Sequence, residues 1–280
     1  MNSIENMPIS GKTKIIPILA DPIAHVETPR IMNMLFKKAN YDAVCVPFQV
    51  AAENLSQTIE ALRLIPTIAG AVVTVPHKIN ISHLVDVKGP QAQIIGAVNA
   101  VRFDEQRQMH GEMFDGKGFV QGLINSDLDV GSHLKVYIAG AGGAARGIAF
   151  ALLAQGVKSL QVYNRTQATA VALIEELKKY APDAVIELAD ATPQQVDLCI
   201  NATSAGMLGP QQNTLPFAID GLEANCCVAE VIMNPLKTQL LQQAEQKGMK
   251  IVSGQAMILA QIGQLAAFIL NEPELAQVRL

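Results

Sequence analysis

Two groups of residues have the types and spacing that chemistry requires, and the first is a glycine cluster. In Val136-Tyr137-Ile138-Ala139-Gly140-Ala141-Gly142-Gly143-Ala144-Ala145-Arg146-Gly147 an apolar run ends in glycines and passes into a helical pattern over 144–155. That order lets a backbone wrap a pyrophosphate. Gly140 permits the tight turn, Gly142 lets the main chain approach the anion, and the N–H groups of the helix start face it. Ala145 is small enough for the helix to pack close to the sheet. A second strand over 160–163 ends in Asn164-Arg165-Thr166, where a nucleotide ribose would lie. An acidic residue there would bind both ribose hydroxyls and select NAD. Arg165 instead offers a planar cation for a 2′-phosphate, with Thr166 as a second donor, so the sequence predicts NADP over NAD. The plain alternative is a glycine turn and a surface arginine.

The second group lies in three turns. Thr74-Val75-Pro76-His77-Lys78 follows an apolar run, Gly96-Ala97-Val98-Asn99-Ala100 enters one, and Asp115 precedes Gly116. Hydride transfer to a ketone needs a proton donor for the developing alkoxide, and a lysine held beside an aspartate serves while staying charged and oriented. Lys78 and Asp115 fit those roles. Singly, a lysine after a proline and an aspartate before a glycine are ordinarily surface and turn residues. The histidines show no H-x-x-x-H spacing, and Cys45, Cys199, Cys226 and Cys227 contain no C-x-x-C. Neither a metal site nor a disulfide framework is expected, and reduced cytoplasm is the expected compartment.

The elements that must position these groups alternate. Strands are predicted over 15–20, 43–48 and 69–75, and helices over 29–40, with Thr28 as cap and Pro29 in the first turn, and over 52–64. Segments 98–103 and 109–113 flank a polar turn and read as a hairpin adding edge strands. A helix opens at Asp115, and strands over 184–187, 198–200 and 228–232 continue a doubly wound sheet. The fold class is α/β and two-lobed: an N-terminal α/β substrate domain with a mostly parallel sheet, and a C-terminal Rossmann dinucleotide-binding domain. The expected division is 1–117 plus 252–280 for the first and 118–251 for the second, with a cleft that opens and closes.

Bulk properties exclude other classes. The 280 residues are half apolar, and the net charge of −4 without a basic cluster argues against a nucleic-acid or anionic membrane partner. The first twelve residues hold no apolar segment, so no signal peptide is expected. The apolar run over 256–270, interrupted by Gln261 and Gln264, reads as a buried helix that packs back on the first domain.

Taken together, the motifs resemble the shikimate dehydrogenase family from Ile15 to the last helix. Ala20-Asp21-Pro22-Ile23-Ala24-His25-Val26-Glu27-Thr28-Pro29 is similar to its G-x-P-x-x-H-S-x-S-P. Val72-Val73-Thr74-Val75-Pro76-His77-Lys78 is similar to N-V-T-V-P-x-K, and Met113-Phe114-Asp115-Gly116-Lys117-Gly118 to N-T-D-G-x-G. Gly96 to Ala100, the segment Asn201-Ala202-Thr203-Ser204-Ala205-Gly206 and the stretch from Gly254 to Gln261 also agree. The resemblance implies a reversible, NADP-linked oxidation of a ring hydroxyl in aromatic amino acid biosynthesis, with Lys78 and Asp115 as the catalytic pair. It implies that Thr28, Thr74, Asn99 and Gln261 contact the substrate. It implies that Gly140, Ala141, Gly142, Gly143, Ala144, Asn164, Arg165, Thr166, Asn201, Ala202 and Thr203 hold the cofactor. A monomer or a homodimer is expected.

The departures are concentrated. Val26 replaces the first serine, Val72 an asparagine, Phe114 a threonine, and Met233 stands where the family usually has tyrosine. In the family the two serines and the tyrosine hold a substrate carboxylate, and only Thr28 keeps a donor. At on the order of 1–3 kcal/mol per donor, the carboxylate grip is expected to be weaker by roughly ten- to several-hundredfold. The competing readings are a related enzyme acting on quinate or a less polar, non-carboxylate cyclic alcohol, and a non-catalytic dinucleotide-binding sensor.

Overall fold

The computed structural model describes residues 9–24 and 26–280. Residues 1–8 of the expected leaderless N-terminus and His25 of the opening motif lie outside the described residues. The chain divides into two units: one extends as far as Phe114 and resumes with Ile262–Leu280, and the other is the continuous segment Asp115–Gln261.

The first unit is built on β1 (Lys14–Ala20), α1 (Thr28–Ala39), β2 (Ala43–Gln49), α2 (Leu55–Arg63) and β3 (Gly70–Val73). It continues through α3 (Lys78–Ser82), β4 (Val87–Lys88), α4 (Pro90–Ile95), β5 (Ala100–Phe103) and β6 (Met109–Glu112). The sheet order is β2-β1-β3-β5-β6-β4. β1 pairs in parallel with β2 and β3, and β5 runs against both β3 and β6. Alternation along the strands sends Leu19, Ala71, Val73 and Val101 into one core cluster with Leu55, Ile59 and Leu62 of α2 and Ile81 of α3. α1 buries Ile31, Met32, Leu35 and Phe36 at helical spacing, and Asn40 ends it in a left-handed conformation, φ 50°.

Three local expectations are corrected here. Thr28 belongs to the helix, with Glu27 at the cap position and no side-chain capping bond. Residues 52–54 form a 3₁₀ turn before α2 proper. The hairpin is interior, because the two-residue β4 pairs on the far side of β6 and forms the edge.

The second unit contains α5 (Asp115–Asn125), β7 (Lys135–Ala139), α6 (Gly143–Ala154), β8 (Ser159–Tyr163), α7 (Gln167–Tyr180) and β9 (Val185–Leu188). After these come β10 (Leu198–Asn201), β11 (Cys227–Glu230), α8 (Gln239–Gln246) and β12 (Lys250–Val252), and α9 (Gly254–Leu270) begins in this unit. All strands of the sheet β12-β11-β10-β7-β8-β9 are parallel. The order reverses between β7 and β10. A sheet of this kind has its ligand crevice at that switch point, outside the carboxyl ends of the strands.

α9 is apolar on nearly all sides, and each half has its own packing. In the second unit Gly118 and Gly122 of α5 leave room for Gln261 and for the backbone at Ala256. In the first unit Ile269 fills the space a side chain at Gly70 would need, and Phe268 packs on Phe114 with ring centroids 5.5 Å apart.

Candidate active site

Because β5 runs against β3 and β6 runs against β5, four chain ends share one edge of the first sheet. They are the carboxyl ends of β1, β3 and β6 and the start of β5. Main-chain bonds fasten them together. Thr74 N–H donates to the Leu19 carbonyl (3.0 Å), Val73 N–H to that of Asn99 (2.9 Å), and Asn99 N–H to that of Glu112 (3.0 Å). Val98 N–H donates to the carbonyl of Lys78 (2.9 Å), which ties the start of α3 to the residue before Asn99. The Asn99 side chain, 3% exposed, completes the chain: its Oδ1 accepts from the N–H of Phe114 (2.9 Å), the residue before Asp115. Lys78, Asn99 and Phe114 therefore stand on three segments of the first unit that are bonded in series, and Asp115 follows Phe114 in the chain.

Lys78 is half-buried, whereas Asp115 is 2% exposed. A carboxylate so placed has to be compensated, and its position at the first turn of α5 supplies part of that through the helix dipole. His77 was not singled out from the sequence, where adjacency to Lys78 is its only signal. It is fully buried, and its Nε2 lies 2.7 Å from the carbonyl of Val50. A carbonyl only accepts, so Nε2 carries the hydrogen, and the ring pins the residue beside Lys78 to the segment after β2.

The remaining candidates of this unit surround the same edge. Thr74 is half-buried in the loop after β3, and Thr28 is buried at the start of α1. Val26 is half-buried, and Val72 is buried in β3 opposite Ile18 and Ala100. Two carboxylates lie on the β1–α1 connection: Asp21, which accepts from Gln49 Nε2 (3.0 Å), and Glu27, which accepts from Arg30 Nε (2.7 Å).

The dinucleotide candidates gather at the switch point of the second sheet. Gly140 has φ +116°, and a Cβ there would lie 2.9 Å from the carbonyl oxygen of Ala202, so only glycine fits. Around Gly142 and Gly143 the space is open: a Cβ at either position would meet nothing within 4 Å, which leaves the backbone accessible to a ligand. The first intrahelical bond of α6 runs from Arg146 N–H to the Gly142 carbonyl (2.9 Å), so the preceding helix N–H groups, from Gly143 through Ala144 to Ala145, point out of the helix start. Ala141 is half-buried beside them, and Ala145 is fully buried. These features fit a pyrophosphate.

At the end of β8 the Asn164 Nδ2 donates to the Thr166 carbonyl (2.9 Å) and shapes the turn, leaving Arg165 and Thr166 exposed. At the end of β10 the buried Asn201 accepts from both Thr203 N–H (3.0 Å) and Thr203 Oγ1 (2.7 Å) and donates to the Ala205 carbonyl (2.9 Å). Met233 stands apart on the segment after β11, half-buried, and Gln261 stands on α9, 6% exposed, with Oε1 buried and unbonded among the described residues.

Comparison with known proteins gives concordant results for both units. The family model described as the shikimate dehydrogenase substrate binding domain matches residues 18–101, and the one described as shikimate / quinate 5-dehydrogenase matches residues 123–212. A shikimate dehydrogenase (NADP(+)) of Alkaliphilus oremlandii is 36% identical over 261 residues, 90% of each chain. Among solved structures, shikimate 5-dehydrogenase of Listeria monocytogenes in complex with shikimate and NAD aligns with TM-score 0.85 at 29% identity over 95% of each chain. The 5-ketofructose reductase of a Gluconobacter strain aligns with TM-score 0.84 at 26% identity, covering 96% of this chain and 98% of that one.

Proposed function

The chain belongs to the shikimate dehydrogenase family, and on that premise we propose that it catalyses the reversible, NADP-dependent oxidation of a ring hydroxyl to a ketone, with shikimate and 3-dehydroshikimate or a close analogue as the pair. The observation that carries this reading is the bonded series from Lys78 through Val98 and Asn99 to Phe114, the residue before Asp115. In the direction of reduction the Lys78 ammonium donates its proton to the carbonyl oxygen, and in oxidation Lys78 takes it back. Asp115 is the second member of the catalytic pair that the resemblance implies. Asn99, Thr74 and Gln261 donate to or accept from the ring hydroxyls, and Thr28 donates to the carboxylate of a substrate that carries one. NADP, when bound, would accept the hydride in oxidation, and NADPH would supply it in reduction. The glycine turn with Ala141 and Ala144 would hold its pyrophosphate, Asn164, Arg165 and Thr166 its 2′-phosphate end, and Asn201, Ala202 and Thr203 the neighbouring edge.

The test is the nicotinamide absorbance change on mixing the protein with NADP and millimolar shikimate, with Lys78→Ala alongside. Turnover is expected, reduced in the variant by roughly a hundredfold or more. A wild-type protein that binds no dinucleotide would overturn the reading.

A second reading of the substrate is favoured by Val26, Val72 and Met233 and by the carboxylates of Asp21 and Glu27 on the β1–α1 connection. Apolar and acidic groups suit a neutral hydroxyketone better than a carboxylate, and one neighbour in the comparison is a 5-ketofructose reductase. The same assay with quinate and with uncharged polyols and ketoses separates the two. Among the described residues no helix is long and apolar enough to cross a membrane. Cys45, Cys199, Cys226 and Cys227 are buried. The reading that fits is a cytoplasmic enzyme acting on a diffusible substrate, as a monomer or homodimer.

A further inference from the structure

Glu230, the last residue of β11, is fully buried, and nothing in the proposed chemistry uses it. Its Oε2 accepts from Thr238 Oγ1 (2.8 Å), while Oε1 is buried and takes no hydrogen bond among the described residues. A buried carboxyl with one oxygen unsatisfied is costly, so its place in the fold calls for a compensating use.

The contacts lead to the switch point by two routes. Thr238 packs against the left-handed Gly206, where an added Cβ would meet its Cβ and Cγ2 at 3.2 Å, so the residue gripped by Glu230 forms the floor of the loop from Asn201 to Gly206. On the other side Glu230 is the cross-strand neighbour of Asn201, and Val231 N–H donates to the Asn201 carbonyl (3.1 Å). Asn201 in turn shapes that loop through Thr203 and Ala205. The loop's Ala202 carbonyl is the group that Gly140 of the phosphate turn abuts.

We propose that Glu230 is a positioning residue for the dinucleotide: through Thr238 and its strand neighbour Asn201 it sets the 202–206 loop against the glycine turn without touching the ligand. This rests on the reading of that edge as the NADP site.

The experiment measures the NADPH dissociation constant by nicotinamide fluorescence, together with the KM values of NADP and of the second substrate, in full-length Glu230→Ala and Glu230→Gln. The alanine variant is expected to weaken NADPH and raise the NADP KM by roughly tenfold or more, with the other KM within about twofold. Glutamine keeps the acceptor for Thr238 and is expected to restore both values. A folded alanine variant with wild-type affinity, or a folded glutamine variant as weak as alanine, overturns the proposal. If the alanine variant does not fold, Thr238→Val removes the same bond and is read by the same criteria. A wild-type protein that binds no NADPH would instead overturn the reading of the site.

Discussion

Arg107 takes a left-handed backbone, φ 62°, and its guanidinium closes the carboxyl end of α2. Nε donates to the Arg63 carbonyl (2.6 Å), Nη1 to Ile68 (3.1 Å), and Nη2 to Ile65 (3.0 Å) and Leu62 (3.3 Å). Arg63 Nε returns the bond to the Arg107 carbonyl (2.5 Å). Such a fork satisfies carbonyls that a helix end leaves open, and a lysine has no equivalent geometry. Arg107→Ala is expected to cost roughly 2–3 kcal/mol in urea unfolding, with Arg107→Lys recovering little of it. Glu230 gives a prediction of opposite sign. Burial pushes its carboxyl up from 4.5 to about 7, against the hydrogen bond from Thr238. The folded state therefore holds the proton more tightly than the unfolded chain. That stabilisation is complete below about pH 4.5 and is lost as pH rises to about 7, a change of roughly 3 kcal/mol. Glu230→Gln is expected to flatten the pH dependence of unfolding between 5 and 8 and to be the more stable protein at pH 8. An unchanged slope would refute this.

At the scale of elements, the strand, turn and helix from β7 to α6 make two kinds of glycine separable. Gly140→Ala places a Cβ against the Ala202 carbonyl at φ +116°, so it is expected to lose roughly 1–3 kcal/mol of stability and dinucleotide affinity together. Gly142→Ala meets nothing in the free protein and is expected to keep its melting temperature while losing affinity. Thermal melts with and without NADP check both. This element was legible in the sequence almost to the residue, 144–155 against Gly143–Ala154, because an apolar run, glycine spacing and a small-residue helix agree. The alternation of β1 to β3 was legible for the same reason. α3, β4 and α4 were not, being five, two and six residues long, shorter than a pattern needs. α4 is held by a contact no local pattern records: Glu112 Oε1 accepts the N–H groups of Ala92 (2.9 Å) and Met113 (2.8 Å). α7 does carry Ala170, Leu173, Ile174 and Leu177 at helical spacing and could have been read. In the candidate site, Lys78 and Asp115 were marked by their turns. The Asn99 bond that links their segments, and the His77 pin, connect residues distant in sequence and only the fold reveals them.

The two units differ in how they are closed. Asp115–Gln261 is one continuous stretch with its own parallel sheet and a core cluster around Tyr137, Cys199, Phe217, Val228 and Leu241. α5 finds its packing partner inside the same stretch, where Gly116 lies against the Gly147 backbone and Gly118 and Gly122 against the first half of α9. The other unit is interrupted, and part of its packing comes from the returning segment. Ile269 fills the space beside Gly70 in β3, Phe268 packs on Phe114, and the Arg102 guanidinium stands 5.7 Å from the Phe268 ring centroid. A continuous segment with its own core has what independent folding requires, whereas a sheet stripped of a packing helix exposes apolar surface at a cost on the order of 25 cal/mol per Å². Residues 115–261 expressed alone are therefore expected to unfold cooperatively and to bind NADPH. Residues 9–114 alone are expected to lack a cooperative transition, and joining 262–280 to them through a flexible linker is expected to restore it. Circular dichroism melts of the three pieces decide the matter, and a cooperative melt of 9–114 alone would show that the returning segment is an accessory to that core rather than part of it.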